Sequence, residues 1–336
     1  MTITIRKIAK DLKIAVSTVS KALRDSHEIS EETKRMVLEY AQKIEYKPNP
    51  YAGSLKNRKT RNIAVVLPEV ADTFFSNAIN GIESIAQDKG YHVMVYQTHE
   101  SFELESSILQ ELRSGRVDGI LISVSGGVMR DSNIHAQLAK EMPLVFFDRV
   151  CEDVETAKVL TDDFLSSYNA TKHLISRGCK EIVFLSAAGN LSIVDHRREG
   201  FVKALTDNNV MATDRHIILC SKDEGESMTI IEDVLKRRQK IDGVVASVEK
   251  LAMQTYSACH ASGLSIPQDV KVIAFSNLPI AALLAPPLST VVQPAFEMGK
   301  TAATLLFKSL AKKINLHSER VVLPSMLCER ESTALA

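Results

Sequence analysis

Apolar residues in the first fifty positions recur three and four apart. From residue 62 onward they gather into short continuous runs separated by longer periodic stretches. The first spacing predicts helices, and the second predicts buried strands alternating with helices. Ile5, Ile8, Ala9 and Leu12 mark one helix, with Thr4 placed to cap it. After Lys13-Ile14, the series Val16, Val19, Ala22 and Leu23 marks a second, from which Ser17, Thr18, Ser20 and Lys21 project. Ser30-Glu31-Glu32-Thr33 starts a third, with a capping side chain and acids in its first turn. Val37, Leu38, Ala41 and Ile44 form its buried stripe, and it must stop before Pro48. Asn49-Pro50 then opens a short helix running to Lys56. That segment is too short to be stable alone, and Gly53 weakens it further, so it should form only when something holds it.

Asn57-Arg58-Lys59-Thr60-Arg61 is a polar, basic joint. Beyond it, strands are expected at 63–67, 92–96, 119–122, 144–147, 182–185, 217–220, 243–246 and 272–275. Helices are expected at 75–89, 104–114, 198–208, 228–238 and 298–310. Such alternation is the pattern of right-handed β-α-β winding in parallel sheets. Val117-Asp118-Gly119-Ile120-Leu121-Ile122-Ser123 is echoed by Ile241-Asp242-Gly243-Val244-Val245-Ala246-Ser247, which supports two similar α/β lobes. Ligands of open α/β sheets bind beyond the carboxyl ends of the strands, so two facing lobes would hold a ligand between them.

Charge changes this picture. The 336-residue chain has no net charge, yet residues 1–61 hold 14 Lys+Arg against 7 Asp+Glu, and the remainder 27 against 34. A basic head on an acidic body is an electrostatic footprint for a polyanion confined to one end. Two short helices, the second basic and polar-faced, suit a helix-turn-helix whose small hydroxyls approach base edges while Lys21 reaches a guanine or a phosphate. The five cysteines, Cys151, Cys179, Cys220, Cys259 and Cys328, show no paired spacing and read as small buried residues of a reducing compartment. No signal-peptide core and no bilayer-length apolar run stand out, so a cytoplasmic protein without membrane partners is expected.

Thr18-Val19-Ser20-Lys21-Ala22-Leu23, Tyr46-Lys47-Pro48-Asn49-Pro50 and Ser54-Leu55-Lys56 resemble the headpiece and hinge of the lactose/galactose repressor family, and the resemblance continues to Cys328-Glu329-Arg330-Glu331-Ser332-Thr333. It implies an all-α helix-turn-helix headpiece at residues 1–47, a hinge helix and linker at 48–61, and a two-lobed body at 62–336. The body would be like the type I periplasmic binding proteins, with crossings between lobes near 160 and 290. It further implies a homodimer on a near-palindromic DNA operator, a sugar-like effector, and a ligand-responsive regulator, a repressor of carbohydrate-related genes. DNA contacts are then expected from Thr4, Arg6, Val16, Ser17, Thr18, Ser20, Lys21, Asn49, Ala52, Leu55 and Lys56, with Leu55 as an apolar wedge in the minor groove.

For the effector, the expected residues are Phe74, Phe75, Asp148, Arg197, Glu249 and Ser276. Phe74-Phe75 follows the first strand, where an aromatic face stacks on a ring, although a helix-start core pair would read the same. Arg197 matches a family arginine whose rigid fork donates to ligand oxygens. The chain departs from the family at Val248-Glu249 and Ser276-Asn277, where asparagine and aspartates are common. It also departs at Lys13, where glycine is common, and at Ala15, where a serine usually caps.

Catalytic motifs fail. Met298-Gly299-Lys300-Thr301 ends like a phosphate-binding loop, but the required earlier glycine is Pro294, so it reads as a helix start. No base, nucleophile and oxyanion site assemble, and neither a metal nor a cofactor is expected. A solute-binding protein would share the lobes but not the basic head. A sugar-modifying α/β enzyme would need the missing constellation.

Overall fold

The computed structural model describes residues 4–23, 25–44, 46, 60–126, 133–189, 191–236, 240–317 and 319–335. The chain divides into two compact units, residues 1–60 and 61–336. The hinge helix expected at 50–56, with Asn49, Ala52, Leu55 and Lys56, lies outside the described residues.

The first unit has three helices: α1 (Ile5–Asp11), α2 (Val16–Ala22) and α3 (Glu31–Lys43). Ile8, Ala9, Val19, Ala22, Val37 and Ala41 close a small core. Ser30 Oγ accepts from the Thr33 amide at 3.3 Å, the expected cap of α3. Thr4 and Ala15 sit at the caps of α1 and α2 without a side-chain bond, and the Tyr40 hydroxyl ties α3 to α1 through Asp11 at 2.6 Å. Two expectations shift. Leu38 is exposed and leaves the stripe of α3, while Lys34 is buried and pairs with Asp25 and Glu31. Val16 also turns outward, away from the core. Lys13 holds the α1–α2 turn with φ +54, the left-handed region that favours the glycine common there.

In the second unit, six strands on each side build two sheets. Lobe 1 holds β1 (Asn62–Leu67), β2 (His92–Gln97), β3 (Gly119–Ile122), β4 (Leu144–Phe147), β5 (Ala157–Thr161) and β11 (Arg320–Leu323), all parallel, in the order β11-β5-β4-β3-β1-β2. Lobe 2 holds β6 (Ile182–Ser186), β7 (Ile217–Leu219), β8 (Gly243–Ala246), β9 (Lys271–Phe275), β10 (Ser289–Val292) and β12 (Met326–Cys328), in the order β12-β10-β9-β8-β6-β7 with only β12 antiparallel. The echoed segments are β3 and β8, which occupy equivalent central places in the two sheets.

Helices cover both faces of each sheet, which is why the central strands are apolar throughout. They are α4 (Thr73–Asp88), α5 (Phe102–Leu112), α6 (Asn133–Glu141) and α11 (Ala295–Leu310) in lobe 1, and α7 (Asp163–Ser176), α8 (Ser192–Asp207), α9 (Glu224–Leu235) and α10 (Glu249–Ala261) in lobe 2. Gly299 lies inside α11, where a Cβ would stand 2.0 Å from the Ala78 carbonyl oxygen of α4. Its glycine serves close helix packing, in keeping with its rejection as a phosphate loop. Gly200 of α8 meets the Phe164 carbonyl of α7 in the same way at 2.1 Å.

The chain passes between lobes three times: from β5 into α7, from β10 into α11, and from β11 into β12. Among the described residues no helix is long and apolar enough to cross a membrane.

Candidate functional site

The parallel strands of both lobes direct their carboxyl ends at a shared cleft. Asp72 follows β1 and caps α4, its carboxylate accepting from the Phe74 amide at 2.7 Å. Asp148 and Arg149 follow β4. Val248-Glu249 follows β8, and Ser276-Asn277 follows β9. Together with Phe74, Phe75, Ile193, Arg197, Phe275 and Gln293, these residues line one cavity enclosing about 50 Å³. All six residues expected for an effector therefore come together, although Phe74 and Phe75 also belong to the lobe 1 core, as a helix-start core pair would. A larger depression of about 600 Å³ at residues 139–143 and 312–317 lies before the starts of β4 and β5, the end of a parallel sheet where ligands are not expected.

Arg197 is not ahead of its helix, as expected, but inside it, because α8 begins six residues earlier than its apolar period suggests. Its side chain is 2% exposed. Nε donates to Asp163 Oδ1 at 2.6 Å, Nη1 donates to the Ser247 carbonyl at 2.7 Å, and the guanidinium lies 3.9 Å over the Phe275 ring. Nη2 is buried without a hydrogen-bond partner among the described residues. Arg149 repeats the pattern from lobe 1. Nη1 donates to Glu100 Oε1 at 2.7 Å, the guanidinium lies 5.6 Å from the Phe75 ring centre, and Nε lies 3.8 Å from Asp148 Oδ2, an ion pair without a hydrogen bond among the described residues. Buried donors without a hydrogen bond cost free energy, which a bound oxygen at Arg197 Nη2 or Arg149 Nε would relieve.

Acceptors face them. Burial pushes the Asp148 carboxyl up to about 6, against the pull of Arg149 and Arg197. Burial also raises Asp72, with its bond from the Phe74 amide opposing. Glu249 is raised by burial and then by the charge of Asp72, although it accepts from Ser276 Oγ at 3.0 Å. Desolvated carboxylates beside desolvated guanidinium groups form a lining that both accepts and donates hydrogen bonds.

Sequence reasoning missed Asp72, Arg149, Phe275, Gln293 and Asp163 as parts of this site. Asp72 and Arg149 carried a signal, since both follow strand ends. Gln293 and Asp163 carried only a coarse one, the crossings between lobes expected near 160 and 290, which does not say which side chains there turn to the site.

In the first unit, Thr4, Arg6, Val16 and Ser17 are exposed, and Thr18, Ser20 and Lys21 are half-buried. They leave the core to Val19 and Ala22 and form the outward side of α1 and α2. Lys21 is ion-paired with Glu28, so it would exchange that partner to reach a nucleic acid.

Residues 4–49 match the bacterial regulatory proteins of the lacI family, and residues 171–333 match the periplasmic binding protein-like domain. The ribose operon repressor of Halalkalibacterium halodurans is 30% identical over 98% of this chain and 97% of its own length. A LacI family transcriptional regulator from Enterococcus faecium with bound ribose is 27% identical, with a TM-score of 0.72 over 82% of this chain and 99% of that one. The lac repressor dimer bound to operator and an anti-inducer aligns with a TM-score of 0.86 over 99% of both chains, at 19% identity, a likeness of fold.

Proposed function

Because the chain belongs to the LacI family of bacterial regulatory proteins, we propose that it is a homodimeric repressor of carbohydrate-related genes, released from or fixed on a near-palindromic operator by a small neutral sugar. The headpiece carries the DNA contacts through Thr4, Arg6, Val16, Ser17, Thr18, Ser20 and Lys21, and the hinge contributes Asn49, Ala52, Leu55 and Lys56. The body carries the effector on Phe74, Phe75, Asp148, Arg197, Glu249 and Ser276. It works in the cytoplasm and catalyses nothing.

One observation carries the choice of effector. Among the described residues the cleft holds two guanidinium nitrogens without a hydrogen bond, Arg197 Nη2 and Arg149 Nε, beside three carboxylates, Asp72, Asp148 and Glu249. A polyol answers both, since each hydroxyl donates and accepts. A phosphorylated sugar would bring negative charge against three carboxylates in a desolvated site. Relatives support a pentose: one is named a ribose operon repressor, and another was crystallised with ribose. The present free volume of about 50 Å³ holds a water or two, so the lobes must part to admit a sugar and close over it.

A thermal-shift panel of D-ribose, other neutral sugars and their phosphates tests this, because a ligand of the native state raises the melting temperature. A neutral sugar should stabilise the protein and shift its affinity for operator DNA. Stabilisation by phosphates alone would overturn the assignment.

A further inference from the structure

The first two crossovers between lobes are joined by one buried chain of hydrogen bonds, and that chain ends on Arg197. Thr161 Oγ1, at the end of β5, donates to Asp163 Oδ2 at 3.1 Å and accepts from Gln293 Nε2 of the second crossover at 3.3 Å. Asp163 Oδ1 accepts from Arg197 Nε at 2.6 Å. Gln293 is held in turn by Asn277, which donates to its carbonyl at 2.7 Å and accepts from its amide at 3.2 Å. The neighbouring Asp162 brings in the third crossover, its Oδ1 accepting from the Ser325 amide at 2.8 Å. Thr161, Asp163, Arg197 and Gln293 are all buried.

Buried charged and polar groups do not swing freely. Each must keep a partner or lose a desolvated bond, so the set has discrete arrangements rather than a continuum. A ligand that engages Arg197 Nη2 selects the guanidinium orientation. That orientation fixes the Asp163 carboxylate, which fixes the Thr161 hydroxyl and so its bond to Gln293. We propose that Thr161 is a positioning residue that conveys the state of the cleft to the crossovers between lobes, by locking the first two together only while Asp163 and Arg197 keep their present pairing. Thr161 does not line the cavity. The role rests on the reading of Arg197 as a ligand group, and the physical warrant is a discrete element that both the cleft and the crossovers bias.

Thr161→Val tests it in the full-length protein. The substitution keeps the side-chain shape, removes both bonds and leaves the Asp163–Arg197 pair in place. Without ligand, amide hydrogen exchange in the segments 160–166 and 291–297 should quicken at least fivefold in the variant. Faster exchange confined to 160–166 would overturn the lock. With D-ribose as the probe, the variant should keep ribose affinity within about threefold. The ribose-induced change in exchange at 291–297 and 322–327, and in operator affinity, should shrink at least fivefold. A wild-type response to ribose in Thr161→Val would overturn the transmission. If the wild-type protein does not bind ribose, the choice of effector falls, while the ligand-free exchange still decides the lock.

Discussion

Asp148→Asn should stabilise the body at neutral pH while weakening effector binding. Asp148 is buried, has φ +61 and titrates at about 6 rather than the ordinary 3.8. Asparagine keeps the shape and is among the residues that tolerate the left-handed backbone, so the substitution adds no strain. A raised carboxyl pKa means that the folded state binds the proton more tightly than the unfolded state does. Its stability contribution is complete below the unfolded pKa near 3.8 and is lost as pH rises through about 6. Above that, the ionised Asp148 costs about 3 kcal/mol, from roughly two pK units at 1.36 kcal/mol each. The neutral amide avoids that cost, so calorimetry of the full chain at pH 7.5 should show the body melting roughly 5–10 °C higher. The gap should narrow as pH falls from 6 to 4 and vanish where both states are protonated. Ribose affinity at pH 7.5 should drop if the Asp148 carboxylate is, as proposed, an acceptor for sugar hydroxyls, because the amide offers one acceptor oxygen and no charge. A gap that is equal at pH 4.5 and 7.5, or a variant less stable than wild type at pH 7.5, would refute the claim that desolvation of this carboxylate is an uncompensated cost.

Arg197→Met should cost about 3–5 kcal/mol, because it strands the buried Asp163 charge, and should abolish ribose binding. Adding Asp163→Leu should recover most of the melting temperature without recovering ribose, whereas recovery of both would show that Arg197 is only structural. Lys13→Gly should stabilise the headpiece by about 0.5–1 kcal/mol by relieving the left-handed lysine. The headpiece transition followed by circular dichroism checks this, and an unchanged or lower midpoint would mean that the turn carries no strain.

Periodicity alone located the elements whose burial is uniform. Residues 119–122 and 144–147 are continuous apolar runs because helices cover both sides of them, and β3 and β4 fall on those positions. Elements that bury polar side chains stayed hidden. Helix α7 reads as polar, yet Ser166, Ser167, Thr171 and His173 are buried. Gly200 of α8 lies against the α7 backbone at Phe164 and Tyr168, and Thr171 satisfies its hydroxyl on the Ser167 carbonyl at 2.8 Å within the same helix. Strand β10 hid likewise, with Ser289 bonded to Thr333 and Arg330 from the far end of the chain.

The site divides along the same line. Arg197 and Asp148 stood out in the sequence through their resemblance to family positions. What they do there depends on residues remote in the chain. The desolvation that raises Asp148 comes from both lobes meeting over it. The carboxylate that anchors Arg197 is supplied 34 positions away, by the first crossover. Residue types and their spacing determined the uniformly buried elements and which end of the sheets faces the cleft, because those follow from local geometry and strand direction. Pairings, unmet donors and shifted protonation were decided by tertiary structure alone, because each is a property of a group's surroundings, and most of those surroundings are remote in sequence.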